Sequence, residues 1–428
     1  MKKPLLLGLA AGASLLSIAA FADTPISELP SVGANPALPA VDPWHEGTIN
    51  RTSWIGWSEG ATPKVPDGFK VQAFAHGLDN PRWMHVLENG DVLVAEASTK
   101  IQADKGSIDG SAAESANRVT LLRDTDGDGV ADERHALLTD QSQPFGLLAR
   151  DGQLYVANTD AVMRFPFTVG DTAVTGEGTK VLELPAGGYN NHWTRNIVQS
   201  PDGSKLYVTV GSASNVGENG LAEEEGRAAI HEINPDGSGH RIFASGLRNP
   251  NGIAFEPQTG AMWTVVNERD HLGDDLVPDY ATSVKDGGFY GWPFYYWGEN
   301  RDPRIEPTAE AEAAEKLTPD FALGAHTSTM AIVFPQNEAF PEAFRNGAFI
   351  AQRGSWNRSS HSGYRVAFLP FADGKPSGQP VDFVTGFFRD AEAGEVYGRP
   401  TGLAVQGDGS LLIADDTGNA IWRVSVAE

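Results

Sequence analysis

The chain has no cysteine. That excludes a disulfide framework, a thiolate nucleophile, a zinc–cysteine site, an iron–sulfur cluster and a lipid-anchor cysteine. Positive charge is scarce: Lys and Arg number 32 against 56 Asp and Glu in 428 residues, a formal net charge of −24. A field of that sign, with no basic block, excludes binding that works by neutralising nucleic-acid phosphates and opposes docking on anionic lipid. Long apolar runs are missing beyond the first residues, so no later stretch reads as a membrane span. Helical patterning is nearly missing too, with Pro307–Pro319 the one stretch that reads as a helix. No GxGxxG follows a strand and opens a helix, which leaves a nicotinamide-binding fold unsupported. No haem motif is present.

What is there begins with a leader. Lys2 and Lys3 precede an apolar core, Leu5 to Ala19, and Ala20-Phe21-Ala22 offers small residues at a cleavage site. Residues 1–22 therefore read as a secretory signal peptide, placing the mature chain in the periplasm or outside the cell. Residues 23–65 are rich in Pro, Gly and Ala and read as an extended arm without packed structure. Residues 66–428 are expected to form one domain.

That domain carries a hidden repeat. Units begin at Asn80 (NPRWMHVLENGDVLVAEA), Gln143 (QPFGLLARDGQLYVANT), Thr194 (TRNIVQSPDGSKLYVTVG), Asn249 (NPNGIAFEPQTGAMWTVVN), Ser328 (STMAIVFP, resuming as NGAFIAQR) and Arg399 (RPTGLAVQGDGSLLIADD). Each is an apolar strand, a turn and a second apolar strand, at a spacing of about 60 residues. Most add a third strand, as in Arg118–Asp124, Ala161–Phe167 and Ala420–Val426. A small antiparallel sheet cannot bury both faces alone, but six arranged radially can, so the repeat predicts an all-β, six-bladed β-propeller. The last unit lacks an outer strand, and Phe69–Gly77 is placed to supply it and close the ring.

Residues just before each first strand and just after each second strand then share one rim near the axis. Those positions hold Gln143, Asn191-His192-Trp193, Arg248-Asn249, His326, Tyr397 and Arg399 at entries. The exits hold Asn158-Thr159-Asp160, Asn267-Glu268-Arg269-Asp270, Arg353 and Asp415-Asp416. Arg248, Arg353 and Arg399 gathered in an acidic protein suit an anionic ligand; the alternative is that they pair with the neighbouring aspartates. His192, beside Asn191 and Arg195, is either a structural donor or a general base, for which a neutral imidazole is suited. Separately, Asp124-Thr125-Asp126-Gly127-Asp128-Gly129 matches the start of a calcium loop, but His135 stands where a bidentate Glu belongs, so an acidic β-turn is an equal reading of Asp124, Asp126 and Asp128.

At these rim positions the chain resembles the pyrroloquinoline quinone (PQQ) dependent soluble sugar dehydrogenases, in the L-sorbosone or aldose sugar dehydrogenase-like branch. The motifs are NHWTRN (191–196), GLRNPNG (246–252), NERDHLGDDL (267–276), GGFYGWP (287–293), RGSWNRS (353–359) and YGRPTGLA (397–404). The resemblance implies PQQ on the rim and oxidation of a hydroxyl of an aldose, related sugar or aldehyde hydrate. It implies His192 as base, Arg248 as a second catalytic group, and Gln143, His192, Arg248, Asn249, Arg353, Tyr397 and Arg399 around the cofactor. Arg353 stands where the family has a lysine, and Tyr397 where it has an arginine. It further implies calcium, a Lewis acid, on the backbone carbonyls of Asp270 and His271. A separate electron acceptor, a quinone or a cytochrome, follows from the missing haem motif. Two other readings of the residues stand beside it: a calcium-dependent lactonase-type hydrolase using Glu268, Asp270 and Asp415, and a non-enzymatic propeller binding a glycan or protein.

Overall fold

Three of the repeat units open Pro-x-Gly: Pro144-Phe145-Gly146, Pro250-Asn251-Gly252 and Pro400-Thr401-Gly402. The reason lies at the axis. A Cβ on Gly146 would stand 2.6 Å from the backbone nitrogen of Ile197, one on Gly252 2.6 Å from that of Ile332, and one on Gly402 2.6 Å from the carbonyl oxygen of Arg82. Each glycine thus lets one first strand press against the first strand of the next unit, a backbone approach no side chain permits.

The computed structural model describes residues 24–42, 47–98, 115–335 and 338–427; the leader read over residues 1–22 lies outside them. Among the described residues the protein is nearly all β, with six sheets of four or five strands following one another along the chain. Their first strands are Pro81–Val86, Gly146–Arg150, Ile197–Gln199, Asn249–Phe255, Thr329–Val333 and Pro400–Val405. Each lies beside the next, and the last returns to the first. Phe69–His76 pairs antiparallel with Ala420–Val426, so the strand preceding the first unit completes the sixth sheet as its sequence position required.

Val92–Glu96, Gln153–Ala157 and Leu206–Val210 are almost wholly buried because both faces of each sheet are covered. Between sheets the core is aromatic in places: Phe349 and Phe383 sit 4.6 Å apart, and Phe69 meets Phe383 edge-on at 5.0 Å. Apolar burial of this extent fixes where the connecting loops emerge, and those loops carry the chemistry.

Two expectations need correction. The α-helix covers only Ala309–Ala313, capped by the Thr308 side chain, with Ala311 as its buried residue. One buried side chain in five residues provides too little packed face to extend it. The arm is extended but packed over its described residues, 24–42 and 47–65. Ile26 is fully buried, Val32–Gly33 adds an edge strand to the fourth sheet, and Ser53–Trp54 pairs in parallel with Glu395–Val396. Trp57 stacks on Tyr397 at 4.9 Å and its indole N–H donates to Asp415 at 2.6 Å. Low apolar content hid these anchors, because each is one side chain at a time.

Candidate active site

Where the first and second strands meet the rim, a pocket opens near the axis. It is lined by Arg82, His192, Arg248, Arg353, Trp356 and the asparagines 191, 249, 251, 267 and 357, among others. His192 precedes the first strand of the third sheet. Its Nδ1 lies 2.8 Å from the Ser212 carbonyl oxygen and 2.9 Å from the Ser212 hydroxyl. A carbonyl can only accept, so Nδ1 carries the proton and Nε2 keeps its lone pair. Nε2 has no hydrogen-bond partner among the described residues. Burial, reinforced by the nearby Arg248 charge, pulls the imidazole down to about 3, so it is neutral at ordinary pH. Arg195 fixes the loop beneath it, donating to the His192 carbonyl at 2.6 Å and to Asn190 Oδ1 at 3.2 Å.

Arg248 is held from several sides. Its guanidinium donates to the Asn215 carbonyl (3.0 Å), to Asn215 Oδ1 (2.8 Å), to the Glu268 carbonyl (2.7 Å) and to Asp270 (3.3 Å). Asp270 also accepts from Asn357 at 2.6 Å and faces His326 at 3.6 Å. Burial alone would raise the Asp270 carboxyl, but Arg248 and His326 outweigh it and hold it well below the carboxylate range. Arg353 donates to Asp416 Oδ2 at 2.6 Å, and Arg82 donates to the same oxygen. Arg248 and Arg353 therefore pair with aspartates, as one of the two readings of the sequence had it, and together with Arg82 they line one pocket. Glu268 is likewise taken up, by the buried Arg269 at 2.9 Å.

Not every expected residue reaches this pocket. Arg399 lies under it, its side chain donating to the carbonyls of Arg353 (3.2 Å) and Gly354 (3.0 Å), so it positions Arg353. Tyr397 lies against Trp57, away from the pocket lining. Gln143 is buried between the first two sheets, donating to the Ser98 carbonyl at 3.0 Å. The carbonyls of Asp270 and His271 both accept from Arg304, at 2.7 and 3.4 Å, and Asp302 anchors that guanidinium at 2.8 Å. A guanidinium thus already holds the two oxygens expected to face a metal. Asp124, Asp126 and Asp128 lie on a turn beyond the third strand of the first sheet, at the opposite rim. Their oxygens cluster within 4.8 Å. They also accept backbone N–H groups of Gly127, Gly129, Asp128 and Val130, the pattern of an acidic turn.

Arg82, Asp279 and Asn357 were not anticipated. Arg82 had a readable signal: in the repeat alignment it occupies the position of Phe145, Asn251 and Thr401, which faces the axis. It now lies over the Trp193 ring at 5.2 Å. Asp279 is fully buried and accepts from the Glu268 N–H and the Thr327 hydroxyl, each at 2.9 Å; burial raises it to about 6.

A model of the TrAA12-like family matches residues 63–281 and 301–427. An uncharacterized protein of Borreliella burgdorferi is 26% identical over 375 residues, 85% of this chain and 91% of that one. The aldose sugar dehydrogenase YliI of Escherichia coli K12 is 30% identical over 111 residues, 26% of this chain and 28% of that protein. Among solved structures, the calcium structure of the Trichoderma reesei family AA12 enzyme has a TM-score of 0.70 at 19% identity, covering 85% of this chain and 97% of that one. The holo PQQ domain of pyranose dehydrogenase from Coprinopsis cinerea has 0.69 at 18%, covering 88% and 100%. The PQQ-bound aldose sugar dehydrogenase of Streptomyces coelicolor has 0.56 at 17%, covering 85% and 100%. At these identities the structures establish a shared fold.

Proposed function

The chain belongs to the TrAA12-like family, and on that premise we propose that it is an exported, PQQ- and calcium-dependent dehydrogenase of sugars whose six sheets are the blades of a β-propeller. The residues fit the cofactor's charge. PQQ carries three carboxylates, and the pocket offers the guanidinium groups of Arg82, Arg248 and Arg353 with five asparagine amides between them. Asn249 Oδ1 is buried there without a hydrogen-bond partner among the described residues. The pocket also contains oxygen atoms of the kind a hard cation takes, in Glu268, Asp270 and Asp279, each of which would have to share its present ion pair or hydrogen bonds with the cation. The carbonyls of Asp270 and His271 accept from Arg304 at 2.7 and 3.4 Å, contacts that a calcium held there would share or replace. When bound, PQQ supplies a two-electron acceptor for hydride.

The chain's own part is to bind, orient and move a proton. Arg82, Arg248 and Arg353 hold the anion, and Arg399 keeps the Arg353 backbone in place. Ser212 fixes the His192 tautomer, and His192 Nε2 takes the proton from a sugar hydroxyl or aldehyde hydrate as the C–H bond breaks. Trp356 at the pocket wall suits the apolar face of a sugar ring. Electrons then leave to a separate carrier, a quinone or a cytochrome. The observation that carries this reading is a neutral histidine with an unpartnered Nε2 in a pocket walled by three arginines.

The test is reconstitution. Purified protein is mixed with PQQ and calcium, and dye reduction is followed across a panel of aldoses. Cofactor binding with sugar-dependent dye reduction is expected. A protein that binds no PQQ, or binds it and oxidises no sugar, overturns the proposal.

A further inference from the structure

A second cleft, of about 530 Å³, lies along the third and fourth strands of the second sheet, against the segment that leads into that sheet. Asp140–Ser142 leads into the second sheet, Asn158–Asp160 follows that sheet's second strand, and Leu184–Gly187 follows its fourth. Antiparallel alternation puts all three on the rim that carries His192. The cleft wall and the His192 loop are also joined: Asn190 Nδ2 donates to Thr159 Oγ1 at 2.9 Å, and the Leu184 N–H to the Asp160 carbonyl at 2.8 Å.

The lining has two characters. Ala161 and Leu184 are buried and Met163 half-buried, giving an apolar floor; Asp140 and Asp160 are exposed at its edge. Asn158 is 4% exposed, and its Oδ1 has no partner among the described residues while its Nδ2 donates to Gln141 at 3.1 Å. Lys180 is paired with Glu183 at 3.1 Å, so the remaining charge is negative. An apolar floor rimmed by acceptors matches a pyranose, which presents C–H groups on its face and hydroxyl donors at its edge. The negative rim rejects uronates and sugar phosphates.

We propose that this cleft is a subsite for uncharged saccharide units, so that the substrate of the His192 pocket is an oligosaccharide. This rests on the sugar-dehydrogenase reading but is tested apart from it. Cofactor-free full-length protein is titrated calorimetrically with cellotetraose, xylotetraose, maltotetraose, glucose and tetragalacturonate, alongside Asp160→Ala and Asp140→Ala. Both replaced side chains are exposed, so folding is not at issue, and melting curves verify it. At least one neutral tetrasaccharide is expected to bind tenfold or more tighter than glucose, and each variant to weaken it at least fivefold. Equal affinity for tetrasaccharide and glucose overturns the subsite, as does unchanged binding in both variants or equal binding of tetragalacturonate. Because no PQQ is present, these outcomes are independent of whether the holoenzyme oxidises sugars.

Discussion

Ser212 presents two oxygens to one nitrogen of His192: its carbonyl at 2.8 Å and its hydroxyl at 2.9 Å from Nδ1. The hydroxyl donates onward to the Ser214 carbonyl at 2.7 Å, so both oxygens are acceptors for the imidazole N–H. The tautomer is thereby fixed twice. Ser212→Ala removes one acceptor and leaves the carbonyl. The expected result is a loss of less than about tenfold in the rate of cofactor reduction, since one neutral hydrogen bond is worth about 0.5–1.5 kcal/mol. Single-turnover kinetics measure it.

Arg248 joins cofactor binding to the integrity of the rim. Arg248→Ala should weaken PQQ binding by about 1.5–3 kcal/mol, the value of a hydrogen bond to a charged group. It should also destabilise the protein, because Asp270 loses its guanidinium partner in a buried setting. Equilibrium titration with PQQ and chemical denaturation separate the two effects. Unchanged PQQ affinity would remove Arg248 from the cofactor site.

Acid stability follows from the buried histidines. Burial lowers His85 to about 4, His192 to about 3 and His231 to about 4. Below about pH 6.5 the unfolded chain protonates these rings while the folded one does not, so stability falls as pH falls. Asp279 and Asp415, raised by burial to about 6, act in the opposite sense and lose stability as pH rises from about 4 to about 6. Glu224, raised by burial, and His326, raised by Asp270 against its burial, stand with the aspartates, and His361, lowered by burial, stands with the histidines; the deep shifts of His85, His192 and His231 set the sign. Urea melts should show lower stability at pH 5 than at pH 7. His192→Asn should reduce that difference by about 2 kcal/mol, about 1.5 units at 1.36 kcal/mol each.

The arm is a structural part of the ring. Trp57→Ala removes the packing on Tyr397 and Trp422 and the donor to Asp415, and should cost about 3–5 kcal/mol. Trp57→Phe keeps most of the packing and should cost about 0.5–1.5 kcal/mol for one lost hydrogen bond, since Asp415 still accepts from the Trp422 indole and from the Arg399 and Gly418 N–H groups. Thermal unfolding checks both, and equal costs would contradict the role given to the N–H.

How far the sequence could be read depended on periodicity. Six strand–turn–strand units, the start of each first strand and the closing strand at Phe69 were all legible, because buried strands impose an apolar pattern that repeats. His192, Arg248, Asn249 and Arg353 were legible as rim residues for the same reason, and they do meet in one pocket. Features made by single contacts were not. Trp57 reaching Asp415, Arg304 covering two carbonyls from a loop 33 and 34 residues away, and Tyr397 turning to the arm leave no period in the chain. Arg82 was hidden within an apolar strand, although its repeat position marked it as facing the axis.

The central claim is that His192 Nε2 accepts the substrate proton. His192→Asn keeps a polar side chain but provides no base. Stopped-flow reduction of bound PQQ by an aldose, with PQQ occupancy and melting temperature measured in parallel, tests the claim most directly. The account predicts near-parental cofactor binding and a reductive step slower by about 100-fold or more. Reduction at the parental rate in the variant would contradict it.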